Sequence, residues 1–326
     1  MSLDADIIVD RRRMRRKLTF WRVVAILLLI AAVAAVAAVM APGGELAEAS
    51  GNYIARVKIT GLIRGDEDRV ESLDNLAKSR VRAVIVHVDS PGGTTAGAEQ
   101  LFDVLRRLAA KKPTVVVVDG LAASGGYIAA MAADHIVSQD TSLVGSIGVL
   151  FQYPNITDLL KTIGVKVEEI KSSPLKAAPS GFEPTSPEAR AALESIVKDS
   201  YAWFRGMVQE RRHLDEAALD RVADGRVFTG RQGLELKLVD ELGNEQTGVA
   251  WLAKEKGVDP NLPVRDWHLK SRFGDLSFLH VAAVAVLDAA GLNSLARRIE
   301  GSGTVQAVEA LNLDGLLALW HPPTGN

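Results

Sequence analysis

VVVVDGLAASGGYIAAMAAD, residues Val115–Asp134, decides the reading of this chain. Four consecutive valines between Pro113 and Gly120 make a continuous apolar run, the pattern of a strand buried on both faces. Ser124 then opens a stretch of alanine and glycine that predicts a short helix over 124–132. A strand that turns directly into a helix presents the turn residue outward, beside the unpaired amides of the first helical turn.

Working outward, the same arrangement recurs. VRAVIVHVDS (Val81–Ser90) is a β-branched run that enters the glycine turn PGGTTAG (Pro91–Gly97), and YIARVKITGLI (Tyr53–Ile63) is another such run. Helical patterns over 69–79 and 95–110 separate the three strands. Strand, helix, strand, helix, strand predicts an α/β domain with a largely covered sheet. Downstream, strands are expected near 135–137, over 146–151 and in VKVEEI (Val165–Ile170), with a helix near 155–163. KSSPLKAAPSGFEPTSP (Lys171–Pro187) is punctuated by prolines and Gly181 and reads as a loop. Ser186 before Pro187 and Glu188 marks a helix start, and that helix should run to about Arg212. The stretch to Gly257 reads as short helices and turns. Further on, FLHVAAVAVLDAAGL (Phe278–Leu292) suits an amphipathic tail helix or an oligomer contact better than a membrane crossing.

Composition narrows the chemistry. Of 326 residues 48% are hydrophobic, enough for a sizeable core, and a net charge of -2 gives no general pull toward nucleic acid. The absence of cysteine excludes disulfides, thiolate metal sites and a cysteine nucleophile. Charge matters by position: Arg11, Arg12, Arg13, Arg15, Arg16 and Lys17 precede an uncharged run, Val23–Ala41. As a helix that run spans roughly 28 Å, close to the hydrocarbon thickness of a bilayer. With the basic flank held inside, the reading is a cytoplasmic tail over 1–22, a transmembrane signal anchor over 23–41, a linker over 42–51, a folded domain over 52–258 and a C-terminal tail over 259–326. In a bacterium the domain would then lie on the periplasmic or extracytoplasmic face of the inner membrane. A cleaved secretory signal has a shorter apolar core of about 7–15 residues, although Ala37, Ala38 and Ala41 leave cleavage open. A buried core helix suits six adjacent cations poorly.

Ser124 is the candidate nucleophile, with the Gly125 amide placed to help hold an oxyanion. Its bland alternative is helix capping. Gly92 or Gly93, in the upstream turn, is the candidate for the second oxyanion donor; no Gly-Lys-Ser/Thr follows, so a phosphate-binding P-loop is not indicated. Ser124 needs a base. None of the six histidines sits in a recognisable triad context, and a desolvated lysine, whose neutral form burial favours, is the physical alternative. Asp89 and Asp119, which end strands beside the glycine turns, read as strand-end caps rather than a catalytic pair.

Taken together, SPGG (Ser90–Gly93), ASGGYIAA (Ala123–Ala130), GSIGV (Gly145–Val149), KSSPLKAAPSGFEP (Lys171–Pro184) and GRVFTGRQGLELKLVDELG (Gly225–Gly243) resemble the bacterial signal peptide peptidases of the SppA family in their single-length form. The resemblance spans about residues 53–257. It implies a Clp protease/crotonase-like spiral of β-β-α units and a membrane-anchored serine endopeptidase with a Ser-Lys dyad. Signal peptides are the implied substrates, no cofactor is needed, and a homo-oligomer is the implied assembly. Carried onto this sequence, the nucleophile falls on Ser124, the general base on Lys176 and the lysine-orienting hydroxyl on Ser146. Ser173 and Ser180-Gly181 depart from the family pattern around Lys176, which keeps Lys171 and Lys166 as competitors. Two other classes stay open: a crotonase-type acyl-CoA enzyme, which uses similar oxyanion amides without a serine nucleophile, and a catalytically silent tethered scaffold.

Overall fold

The computed structural model describes residues 52–269 and 316–319, together with Trp21; the basic flank, the apolar run over 23–41 and Phe278–Leu292 lie outside the described residues. Among the described residues, no helix is long and apolar enough to cross a membrane.

The valine run forms the centre of the sheet. Strands β1 (Ile54–Ile63), β2 (Ala83–Thr94), β3 (Thr114–Ala123) and β4 (His135–Ser138) lie parallel in that order, and the connections between them are made by helices α1 (Glu67–Lys78), α2 (Thr95–Ala109) and α3 (Gly125–Ala130). Register pairs Val57 with Val86, Val86 with Val116 and Val116 with Ile136, and these four residues share one core. The alternate residues Ile54, Ile85, Val115 and Val117 belong to a second core, with Leu252 of helix α8 (Glu245–Lys256). Both faces are thus covered, which is why the run is continuous rather than alternating. Each fully buried valine contributes roughly 1.5–3 kcal/mol relative to exposure.

Around this centre the sheet gains β5 (Leu143–Gly145), β6 (Leu150–Phe151), β7 (Val227–Thr229), β8 (Glu241–Leu242), β9 (Val264–Asp266) and β10 (Leu316–Leu319). Short helices α4 (Thr157–Thr162), α6 (Glu216–Val222) and α7 (Gly230–Glu235) complete the body, and α5 runs over Pro187–Arg212. The start of α5 is as its sequence predicts: the Ser186 hydroxyl accepts from the Ala189 amide at 3.1 Å, with Pro187 in the first turn.

Three expectations are corrected. VKVEEI forms no strand, because no edge pairs with it, and Val165, Val167 and Ile170 are exposed. Of the strand expected over 146–151 only its end forms, as β6, since Ser146 follows β5 with a positive φ of 50° that no strand tolerates. The sheet also extends past residue 258: β9 pairs with β1, and β10 with β2 and β6, so the boundary moves into the tail.

One polar cluster interrupts the α8 side. His87 has Nδ1 2.9 Å from the Asp119 carboxylate and Nε2 2.8 Å from Glu245. Glu245 also accepts two bonds from Arg56, at 2.5 and 2.7 Å, and Arg56 donates to Asp266 at 2.8 Å. Hydrogen bonds from Arg56, then His87, hold the Glu245 carboxyl below the usual carboxylate range. Asp119 is therefore a partner of His87 rather than a strand-end cap.

Candidate active site

Ser124 sits between Ala123, the last residue of β3, and Gly125, the first of α3. Its backbone is strained, with φ 53° and ψ -115°, and a non-glycine residue in such a region costs on the order of 1–3 kcal/mol. Fixed bonds hold it there. Its amide donates to the Gly145 carbonyl at 2.8 Å, and its carbonyl accepts from the amides of Tyr127 and Ile128, both at 3.0 Å. The side chain caps nothing; Oγ donates instead to the Gly148 carbonyl at a long 3.5 Å. Capping, the bland role for a serine here, is thereby removed.

The flanking residues explain the stiffness of the turn. A Cβ on Gly126 would meet the Ser90 carbonyl oxygen at 2.5 Å, so glycine alone lets α3 press against β2. Tyr127 is fully buried and donates its hydroxyl to the Leu238 carbonyl at 2.7 Å; burial raises its pKa and keeps it a neutral donor.

The upstream turn separates two roles. The Gly92 amide donates to the Ser90 hydroxyl at 3.1 Å, and that hydroxyl donates to the Gly61 carbonyl at 2.6 Å. Gly92 has φ 101°, open only to glycine at low cost. At Gly93 a Cβ would stand 1.8 Å from the Ile63 carbonyl oxygen, so its glycine serves the approach of β1.

Ser146 directly follows the carbonyl that holds Ser124. It is buried, its amide donates to the Arg226 carbonyl at 2.9 Å, and among the described residues its hydroxyl has no hydrogen-bond partner. The lysines are elsewhere. Lys176 lies exposed in the loop between α4 and α5, its amide donating to the Ser173 carbonyl at 3.1 Å; among the described residues Nζ bonds neither serine and pairs with no carboxylate. Lys171 is ion-paired with Glu169 at 2.5 Å and Glu183 at 2.7 Å, and these bonds raise its pKa. Lys166 is exposed. The fold thus gathers Ser124, Gly125, Gly92, Gly93 and Ser146 around one turn, while the lysines lie on the outer loop. Among the described residues no histidine hydrogen-bonds a serine: His87 faces carboxylates, and His135 pairs with Glu241 and stacks on Trp251.

The feature that sequence reasoning missed is β10. It runs antiparallel to β2, with Leu317 opposite Thr94, Ala318 opposite Gly93 and Leu319 opposite Gly92. Its other edge pairs with β6, Leu316 opposite Phe151 and Leu317 opposite Leu150. At Gly92 and Gly93 the opposite edge of β2 is already taken by β1, so β10 lies on the β3 side, where β3 has left the sheet at Ser124. A strand of the chain's own tail therefore fills a slot between the glycine turn and the segment that follows Ser146, with Leu317 buried. The only local signal was the apolar LLAL itself.

Comparison with known proteins agrees with this geometry. The family model for peptidase family S49 matches residues 106–259, and that for Clp protease matches 67–140. A protein of Synechocystis named as a protease is 36% identical over 210 residues, covering 64% of this chain and 76% of that one. Protease 4 of Salmonella typhi is 31% identical and covers 70% of this chain, and the chloroplastic serine protease SPPA of Arabidopsis thaliana is 31% identical and covers 65%. The match spans about a third of those two proteins, 36% and 32% of their lengths. With a strained serine at a strand-to-helix turn in a Clp protease-like α/β fold, the chain belongs to peptidase family S49 and is a serine peptidase.

Proposed function

We propose that the chain is a membrane-anchored endopeptidase of the SppA type that cleaves signal peptides, or other membrane-associated peptides, through Ser124 and Lys176. The observation that carries this reading is β10, because an extended apolar segment lying antiparallel on Gly92–Thr94 beside Ser124 is the posture of a bound peptide. In this reading Ser124 attacks the scissile carbonyl, the Gly125 amide and one from the Gly92–Gly93 turn hold the oxyanion, and a neutral lysine takes the hydroxyl proton. The acyl-enzyme is then hydrolysed by water. Carboxylate pairing disfavours the neutral form of Lys171, and Lys176, the position to which the family resemblance points, is the base in this reading, with Ser146 orienting it.

Lys176 is brought to a serine by a second copy of the chain. The lysine's own segment supports this. Leu159, Ile163, Ile170, Leu175 and Phe182 are large apolar side chains exposed along it, as is Ile196 on α5, and Ile170 is 104% exposed. Apolar surface of that extent calls for a partner. A fluorophosphonate probe tests the chemistry: it should label Ser124 of the full chain and no residue of the Ser124→Ala variant. Labelling elsewhere, or none in an active preparation, would exclude the Ser124 mechanism and favour a crotonase-type site.

A further inference from the structure

A cavity of about 460 Å³ opens at the end of the sheet opposite Ser124. It lies where Asn52, Val81 and Pro113 lead into β1, β2 and β3, and Gly257, after the last residue of α8, closes its rim. Its lining carries five cations, Arg80, Arg82, Lys111, Lys112 and Lys256, against one acid, Asp259. Two of the five are committed within the fold. Lys112 donates to the carbonyls of Ser79 and Val81 at 2.8 and 3.1 Å, and Lys256 pairs with Asp134 at 3.3 Å. Arg80, Arg82 and Lys111 are exposed, and among the described residues they have neither an ion pair nor a hydrogen bond from their side chains. A chain of net charge -2 thus concentrates unpaired positive charge around one concavity.

We infer that this cavity docks the domain on phosphate headgroups of an anionic bilayer. The inference rests on the membrane-anchor reading, since Asn52, in the cavity wall, follows the apolar run after a linker over 42–51 that spans at most about 35 Å when extended. A domain on so short a tether meets the surface repeatedly, and a basic rim then selects its orientation. Each cation near an anionic leaflet favours docking about five-fold, so the three unpaired ones together favour it about 10²-fold. Docked at the strand starts, the protein carries Ser124 at the far end of β3. A ten-residue strand is about 33 Å long, so the bonds reached are those of peptides projecting from the bilayer.

The absence of cysteine makes the test clean, because a single Ala110→Cys substitution beside Lys111 gives one labelling site. The full chain, fluorophore-labelled there, is placed in nanodiscs of phosphatidylcholine alone or mixed with phosphatidylglycerol, each containing a headgroup-borne nitroxide quencher. Quenching should be stronger with phosphatidylglycerol. It should fall to the phosphatidylcholine level in the Arg80→Gln, Arg82→Gln, Lys111→Gln triple variant, which should keep its peptidase activity. Quenching that ignores either lipid charge or the triple substitution overturns the docking surface while the anchor stands. Loss of the phosphatidylglycerol effect on adding inorganic phosphate at matched ionic strength overturns the membrane assignment in favour of a free anion. Protein that does not stay with the discs overturns the anchor reading itself, and this inference with it.

Discussion

The Ser124 amide donates to the Gly145 carbonyl at 2.8 Å, so the turn that carries Ser124 is fastened to the residue that immediately precedes Ser146. Gly145 itself has φ 98°, and a Cβ there would approach the Phe228 ring at 3.1 Å. Gly145→Ala should therefore lose about 1–3 kcal/mol through strain and crowding, and with it the alignment of Ser124. Thermal unfolding and probe-labelling rate measure the two effects. A variant of unchanged labelling rate would show that the fastening is dispensable.

Lys176→Ala should lower peptidase activity by about 10²–10⁴-fold, the range of a lost general base, while leaving the melting temperature nearly unchanged. Lys171→Ala should retain most activity, because that lysine is engaged with Glu169 and Glu183. Mixed oligomers of Ser124→Ala and Lys176→Ala chains should recover activity if the dyad is shared between copies. Inactive mixtures that demonstrably co-assemble would place each dyad within one chain.

Removing residues 313–326 should open the slot between β2 and β6. The expected result is a higher kcat/KM for extended apolar peptides, because the tethered β10 no longer competes. An unchanged value would mean that β10 leaves the slot in the working enzyme.

Ile170→Asp combined with Phe182→Asp should dissociate the assembly in analytical ultracentrifugation, since both side chains are exposed and apolar on the Lys176 segment. Activity should fall with it. Retained assembly would assign the contact to another surface.

The Arg56–Glu245–Asp266 cluster gives a pH signature. Arg56 holds both carboxyls below their ordinary values, so the stability they contribute is present above about pH 4.3, the unfolded glutamate value, and is lost as pH falls through the lower folded values. Glu245→Gln should cost about 1–2 kcal/mol at neutral pH after allowance for solvent screening, and the cost should vanish in acid. Urea unfolding at a series of pH values from neutral into acid reads both; a cost that does not decline as pH falls would assign it to packing.

Local signals were the legible ones. Val115–Val118, the Ser124 turn, the Gly92–Gly93 turn and the Ser186–Pro187 helix start are all encoded within a few neighbouring residues, and the structure places each as its sequence implies. What escaped depends on pairing across the chain. VKVEEI has the alternation of a half-buried strand but finds no partner edge, whereas the four residues of β10 are too few for any period and gain their place only by meeting Gly92–Thr94 and Leu150–Phe151. His87 could not be assigned for the same reason: Glu245 reaches it from a helix far along the sequence.

The antiparallel sense of β10 gives the slot a reading direction. A peptide that continues past the Leu319 position runs toward Ser90 and the Gly126 turn packed on it, and so toward Ser124. In the proposed mechanism, whatever precedes the severed bond lies ordered in the sheet, and whatever follows it leaves first. In the proposed reading cleavage at this site is vectorial, and a peptide offered in the opposite orientation would exchange the antiparallel ladder for the slanted bonds of a parallel one.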